Sequence, residues 1–242
     1  MRPVEAVVVA VALAAVGSSC AGADHKAPSA GHSGQAFEQL SGRQVAERTA
    51  AALKKVSSVH LQGSGRYQND RATMDLSVDK AGTCVGRFEV RGARFDVIHA
   101  PDRRWLFRGN AKYWSQFGPR RHRDDSVTRF AGHWVDVSAG ELSAALEKTC
   151  KLDLLWQQII PQDVEGCVRG AGGPATDEPT VQVMCDDTRV WVQARAPHRP
   201  VQYDGPQGAE IESVTLRDYD RPVRPDVPPD DEILNPAASE SV

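Results

Sequence analysis

From Val59 to Phe107 the chain keeps a period of two, and that period limits what it can fold into. Val59, Leu61 and Tyr67 alternate with His60, Gln62 and Arg66. Met74, Leu76 and Val78 alternate with Thr73, Asp75 and Ser77, and Cys84, Gly86, Phe88 and Val90 with Arg87, Glu89 and Arg91. Successive side chains of a strand point to opposite faces, so each run has one dry and one wet side. Gln68-Asn69-Asp70, Gly82 and Gly92-Ala93 break the runs at short intervals. Phe95 and Val97, Trp105 and Phe107, and Tyr113-Trp114 continue the series. The spacing predicts short strands joined by tight turns in an antiparallel meander.

Helical signals surround the strands. Ser41 and Gln44 have capping-box spacing, with Leu40 and Val45 placed as a hydrophobic staple, and Val45, Ala52, Leu53 and Val56 mark an apolar face. Val127 and Phe130 sit in a short helix stopped by Gly132. Ser138 with Glu141 and Val137 with Leu142 repeat the box and staple for a helix running to about Cys150. Leu152–Ile160 is a further helical segment ended by Pro161. Strands return at 163–169, 180–185, 189–194 and 211–216, an α+β order. Past Asp220 the prolines and acids predict an extended, solvated tail over 221–242.

The N-terminus reads as an address. Arg2 precedes ten apolar residues, Val7–Val16, a run too short to span a bilayer, and small residues at 17–19 lead to Cys20. Residues 1–19 are expected to be a lipoprotein signal peptide. Cys20 is then acylated, with chains such as palmitate, and anchored to the outer face of the cell membrane. A cut after Ala21-Gly22-Ala23 is the competing reading and would give a secreted protein. Residues 20–37 read as a flexible tether, and 38–220 as one folded domain.

With Cys20 set aside, four cysteines remain: Cys84, Cys150, Cys167 and Cys185. In an exported chain they predict two disulfides with three possible connectivities. No C-x-x-C occurs, so a zinc or thioredoxin-like site is not expected. Residues 87–123 hold ten Lys/Arg against three Asp/Glu, and 218–242 hold two against seven. The basic middle reads mainly as the wet face of strands, through Arg87, Arg91, Arg94 and Arg108, and otherwise as attraction to anionic envelope material. An exported chain is not expected to meet nucleic acid.

Several short motifs occur in order: Ser58-Val59-His60-Leu61-x-Gly63; Gly82-x-Cys84-x-Gly86; Asn110-Ala111-Lys112-Tyr113-Trp114; Cys150-x-Leu152-Asp153; and Val214-Thr215-Leu216-x-Asp218-Tyr219-Asp220-x-Pro222-Val223. Together with the lipidation signal they resemble the LolA-like/LppX-type lipoproteins of actinobacteria. That resemblance implies a twisted, incompletely closed antiparallel half-barrel with helices on its concave face, and an apolar cavity for acyl chains between them. It supplies no catalytic residues. Cys167, Cys185 and the Gly118–Arg123 loop look like additions to the common pattern.

The expected pairs are Cys167–Cys185, which flank a Gly/Pro/Asp-rich turn at 170–179, and Cys84–Cys150, which remain and toward which the resemblance also points. The candidate ligand-lining residues are Met74, Leu76, Phe88, Val90, Phe95, Trp105, Phe107 and Trp114. The expected function is non-catalytic binding or carriage of a hydrophobic envelope molecule, a lipid or lipoglycan, by a monomer without cofactor or metal. The alternative is a cell-surface interaction or sensor domain with a filled core. The histidines form no H-E-x-x-H, Gly63-Ser64-Gly65 lacks nucleophile-elbow spacing, and His25 and His32 are too far apart for a metal tract, so an enzyme ranks third.

Overall fold

A computed structural model describes residues 36–100, 104–118, 123–138, 147, 149–161, 163–171 and 178–235. The signal segment, Cys20, most of the tether, the 119–122 loop, Glu141 and Leu142 of the second cap and staple, and the 172–177 turn lie outside the described residues, as do residues 236–242.

Twelve strands make one open sheet. In chain order they are β1 Ser58–Tyr67, β2 Asp70–Asp79, β3 Cys84–Val90, β4 Ala93–His99, β5 Trp105–Gly109 and β6 Trp134–Asp136. After a helical interlude come β7 Val168–Arg169, β8 Thr180–Cys185, β9 Thr188–Gln193, β10 Pro200–Asp204, β11 Ser213–Arg217 and β12 Ile233–Leu234. Their order is β12-β6-β5-β4-β3-β2-β1-β11-β10-β9-β8-β7. Every pair is antiparallel except β12 on β6. The first meander folds as the period predicts. Gln68 (φ 48°) and Asn69 (φ 70°) make a tight left-handed turn between β1 and β2, the backbone that matches strand twist in a two-residue hairpin.

Four helices are described: α1 Gly42–Leu53, α2 Ala111–Phe117, α3 Arg123–Phe130 and α4 Leu152–Ile159. The predicted box closes α1: Ser41 Oγ accepts from Gln44 N at 3.3 Å, and Gln44 Oε1 accepts from Ser41 N at 3.0 Å. Gly42, Val45, Ala46, Thr49 and Leu53 form its buried face. At Gly42 a Cβ would lie 2.2 Å from the Val168 carbonyl carbon, so only glycine lets α1 begin against β7. Helix α1 lies against β7 and β8, and α2 against β4 and β5. This is the expected α+β half-barrel with helices on one face.

Four expectations change. Tyr113-Trp114 is helix, not strand. Asn110 Oδ1 accepts from Tyr113 N at 2.8 Å and from Arg94 N at 3.1 Å, so a side-chain cap overrides the aromatic strand preference. The strand expected over 163–169 is ordered as such only at 168–169. Strands β6 and β10 are additions, since Pro200 and the brevity of 134–136 conceal them. Phe37, counted with the tether by composition, is buried and stacks on His198 with ring centroids 3.8 Å apart.

The C-terminal segment also differs from a free tail. It is extended and mostly exposed, but it crosses the outer face of the sheet. Arg221–Arg224 lie beside His60, Ser77 and Val85, and Asp226 lies beside Arg87, Ile98, Arg108 and Trp134. Asp230 pairs with Arg104 at 2.8 Å, and Ile233–Leu234 then joins β6 as a parallel edge strand. Four prolines leave few N–H groups to satisfy and favour this extended path.

The disulfides join Cys84 to Cys150 and Cys167 to Cys185, with Cα atoms 5.5 and 4.3 Å apart. The first ties the entry of α4 to β3. The second crosses from just before β7 to β8, where the Val168↔Met184 register sets Cys167 opposite Cys185.

Candidate functional site

Register assembles the inner face row by row. Gly63, Met74, Phe88, Phe95 and Gly109 stand opposite one another across β1–β5. Leu61, Leu76, Gly86, Val97, Phe107 and Val135 form the next row, and Val59, Val78, Cys84, His99 and Trp105 the third. Val90 lies toward the opposite end beside Ala72 and Ala93. Seven of the eight candidate lining residues therefore share one face of the sheet. The eighth, Trp114, comes from α2, which packs over β4 and β5.

The aromatics are in contact. Phe95 stacks on Phe88 and on Phe107, both at 5.2 Å between centroids, and meets Tyr113 at 4.9 Å. Tyr113 meets Trp114 edge-on at 5.1 Å, and Trp114 meets Phe130 at 5.1 Å. Leu76 and Phe107 are fully buried, and Val90, Phe95, Trp105 and Trp114 nearly so. Met74 and Phe88 are only half-buried. Beyond them, Tyr67 stands 42% exposed with its ring edge-on to half-buried Phe117 at 5.8 Å. The inner layer thus passes from a packed interior to an apolar rim at the turn end of β1–β4.

Sequence reasoning missed part of this layer. Tyr113 reads as strand, and Phe117 carries no signal beyond being aromatic, whereas alternation already puts Tyr67 on the dry face without showing that it is a rim. Trp156, Leu155 and Ile159 of α4 are buried in the same core. Burial pushes the Tyr113 phenol well above its ordinary range, so it stays neutral. Among the described residues the buried indole nitrogens of Trp114 and Trp156 have no hydrogen-bond partner. Such N–H groups ordinarily find an acceptor when buried.

The outer face is polar and paired. Asp96 takes Arg87 Nε on Oδ1 at 2.7 Å, and Arg108 Nε and Nη2 on Oδ2 at 3.2 and 2.9 Å. Burial works against ionisation of Asp96, but hydrogen bonds and charge from both arginines hold it below the usual carboxylate range. Nearby, His60 meets Ser77 Oγ through Nδ1 at 3.0 Å and Asp75 Oδ1 through Nε2 at 3.1 Å. This order resembles a hydrolytic triad. However, Ser77 lies inside β2, which is paired on both sides, so the neighbouring backbone N–H groups are committed to the ladder and offer no oxyanion donors. Arg217 also approaches His60 Nε2, at 3.2 Å. The cluster reads as a surface network. Among the described residues no group of three or more His, Cys, Asp or Glu is arranged to hold a metal. No described helix is long and apolar enough to cross a membrane.

No protein-family model matches the chain, and no curated protein does. Solved structures similar to it include two mycobacterial proteins. LprF from Mycobacterium bovis is 15% identical, over 76% of this chain and 94% of that one, with a TM-score of 0.46. The Mycobacterium tuberculosis lipoprotein LppX is 14% identical, over 76% of this chain and 97% of that one, with a TM-score of 0.42.

Proposed function

We propose that the chain is a membrane-anchored, extracytoplasmic lipoprotein that binds or carries a hydrophobic envelope molecule, lipid or lipoglycan, without catalysing a reaction. Residues 1–19 would direct export, Cys20 would carry the lipid, and the tether that ends before buried Phe37 would hold a monomeric domain off the membrane. The observation that carries this reading is the graded inner face. An apolar layer of aromatic and methionine side chains runs from beneath the helices to a half-exposed rim at Met74, Phe88, Tyr67 and Phe117. An acyl chain needs such a path, and rings and thioether repack around it at small cost. The unpartnered indoles of Trp114 and Trp156 support an occupant bearing an acceptor.

The test is binding of a fluorescent fatty-acyl probe to the full chain carrying Cys20→Ser. Saturable binding is expected, weakened about tenfold by Phe88→Asp, since a carboxylate in an apolar path costs well over 1 kcal/mol. Absence of saturable binding, or unchanged binding by the Phe88→Asp chain, would reject the proposal.

A second reading has its own support. Phe107, Leu76 and the Phe88–Phe95–Phe107 stack pack closely, as a filled core does. On that reading the domain meets another envelope protein through its surface.

A further inference from the structure

The outer face carries a cleft that the apolar interior does not explain. It measures about 360 Å³ and is lined by Arg87, Arg94, Phe95, Asp96, Arg108, Gly109, Asn110 and Gly132. Three guanidinium groups thus face a single carboxylate. Alternation sets them there: Arg87, Asp96 and Arg108 are direct cross-strand neighbours, and Arg94 lies two residues before Asp96 on the same face. Asp96 does not neutralise the site. It uses both oxygens to fix the Arg87 and Arg108 side chains. Arg108 is further braced over the Trp134 ring, 4.8 Å from its centroid.

Among the described residues the terminal nitrogens of Arg87 and the Nη1 of Arg108 make no hydrogen bond, and the Arg94 guanidinium has no carboxylate partner. Glu89 is the cross-strand neighbour of Arg94 but does not line the cleft. The adjoining cleft, lined by Asp75, Asp96 and Asp226 with Arg87 and Arg108, has the opposite balance. Positive charge is therefore concentrated on the side facing Arg94, Asn110 and Gly132.

We propose that this cleft binds a phosphoryl group, with Arg87, Arg94 and Arg108 as its donors. A carboxylate is satisfied by one arginine fork. A phosphate ester offers oxygens in several directions and suits three forks, two of them held in place beforehand. The volume leaves room for a glycerol or sugar attached to the phosphate. Its three arginines lie on the sheet face opposite the acyl path, and only Phe95 and Gly109 of its lining belong to the inner rows, so the proposal does not rest on the proposed carrier function. The same chemistry has two sources, a phospholipid head group in the membrane and a soluble glycerol or sugar phosphate.

The test uses the full chain carrying Cys20→Ser, alone and with Arg94→Gln plus Arg108→Gln. Arg195→Gln, an exposed arginine outside the cleft, serves as control. Glycerol 3-phosphate and glycerol are titrated by calorimetry. Retention is compared on phosphatidylcholine vesicles with and without phosphatidylglycerol, so that binding through the N-terminal segment, common to all, cancels. The proposal expects phosphate-dependent binding, weakened about tenfold or more by the double substitution, unchanged by Arg195→Gln and falling with salt. Glycerol phosphate binding identifies a soluble source, and phosphatidylglycerol-dependent retention alone identifies the membrane. Binding in neither arm, equal binding of glycerol, or equal binding by the doubly substituted chain overturns it.

Discussion

At the residue scale, the sharpest constraint falls on small and charged positions that the sequence pattern passes over. A Cβ on Gly86 would lie 2.2 Å from the Asp75 carbonyl oxygen and 2.7 Å from Leu76 Cα. The inner row therefore dips at β3, where Leu76 Cδ1 lies 2.8 Å from the place a Cβ would take. Gly86→Val should cost about 1–3 kcal/mol by overpacking, read as a lower urea midpoint with unchanged slope. Asp220 is a second such position. Its Oδ1 accepts from Ser57 N at 2.8 Å and from Ser57 Oγ at 3.0 Å, and Arg199 pairs with its Oδ2. Burial opposes ionisation there, but these partners hold the Asp220 carboxyl below the ordinary range, as Arg87 and Arg108 do for Asp96. Both folded-state values are depressed, so their stabilisation is complete above the unfolded carboxylate value of about 3.8 and is lost as pH falls below it. Acid titration of stability should show a loss below about pH 4 that is smaller in Asp96→Asn and Asp220→Asn. An identical acid limb in both variants would contradict the assignment.

At the element scale, the two disulfides do different work. Cys84–Cys150 closes 66 residues of separation and pins α4 to the sheet, whereas Cys167–Cys185 closes 18 within neighbouring strands. The chain-entropy argument gives about 4 and about 3 kcal/mol. Cys84→Ser should therefore lower stability more than Cys167→Ser, and it alone should raise amide exchange in both α4 and β3. The C-terminal segment makes a separate prediction. Ile98 and Leu106 point outward, yet they are 4% and 1% exposed, and Ile98 shares its cleft with Asp226. Ending the chain at Asp220 should uncover this apolar patch, raise binding of a hydrophobic dye and loosen β6. Unchanged dye binding would mean that the segment covers nothing.

These elements also show how far the sequence could be read. Strict alternation made β1–β5 legible because one buried face forces register. The α1 box was legible because capping is local chemistry. Helix α2 was not, because Asn110 had to be weighed against two aromatics that favour strands. Strand β12 was not, because proline and acid content predict solvation and say nothing of a distant edge strand with room for a partner. Ile98 and Leu106 were the available signal: apolar residues on a wet face imply a cover. Seven of the eight candidate lining residues were legible as one dry face, and Trp114 was not, since it stands on α2. The rim was not, since periodicity reports which side is apolar, not where the helices stop covering it.

At the scale of the whole molecule, the sheet separates two chemistries. Its inner face is an aromatic and aliphatic layer under helices, and its outer face is a lattice of arginine–carboxylate pairs crossed by the C-terminal segment. On the proposed anchoring through Cys20, the domain could take an acyl chain on one side and meet anionic groups on the other. The central claim is that the inner layer accepts a hydrophobic guest. Native mass spectrometry of the full chain, purified from its own envelope in a mild detergent and followed by solvent extraction, tests it most directly. The account predicts a discrete added mass that is removed by extraction, identified as an acyl-bearing molecule, and reduced in Phe88→Asp. A chain that repeatedly carries no added mass, and gains none when incubated with envelope lipids, would contradict it.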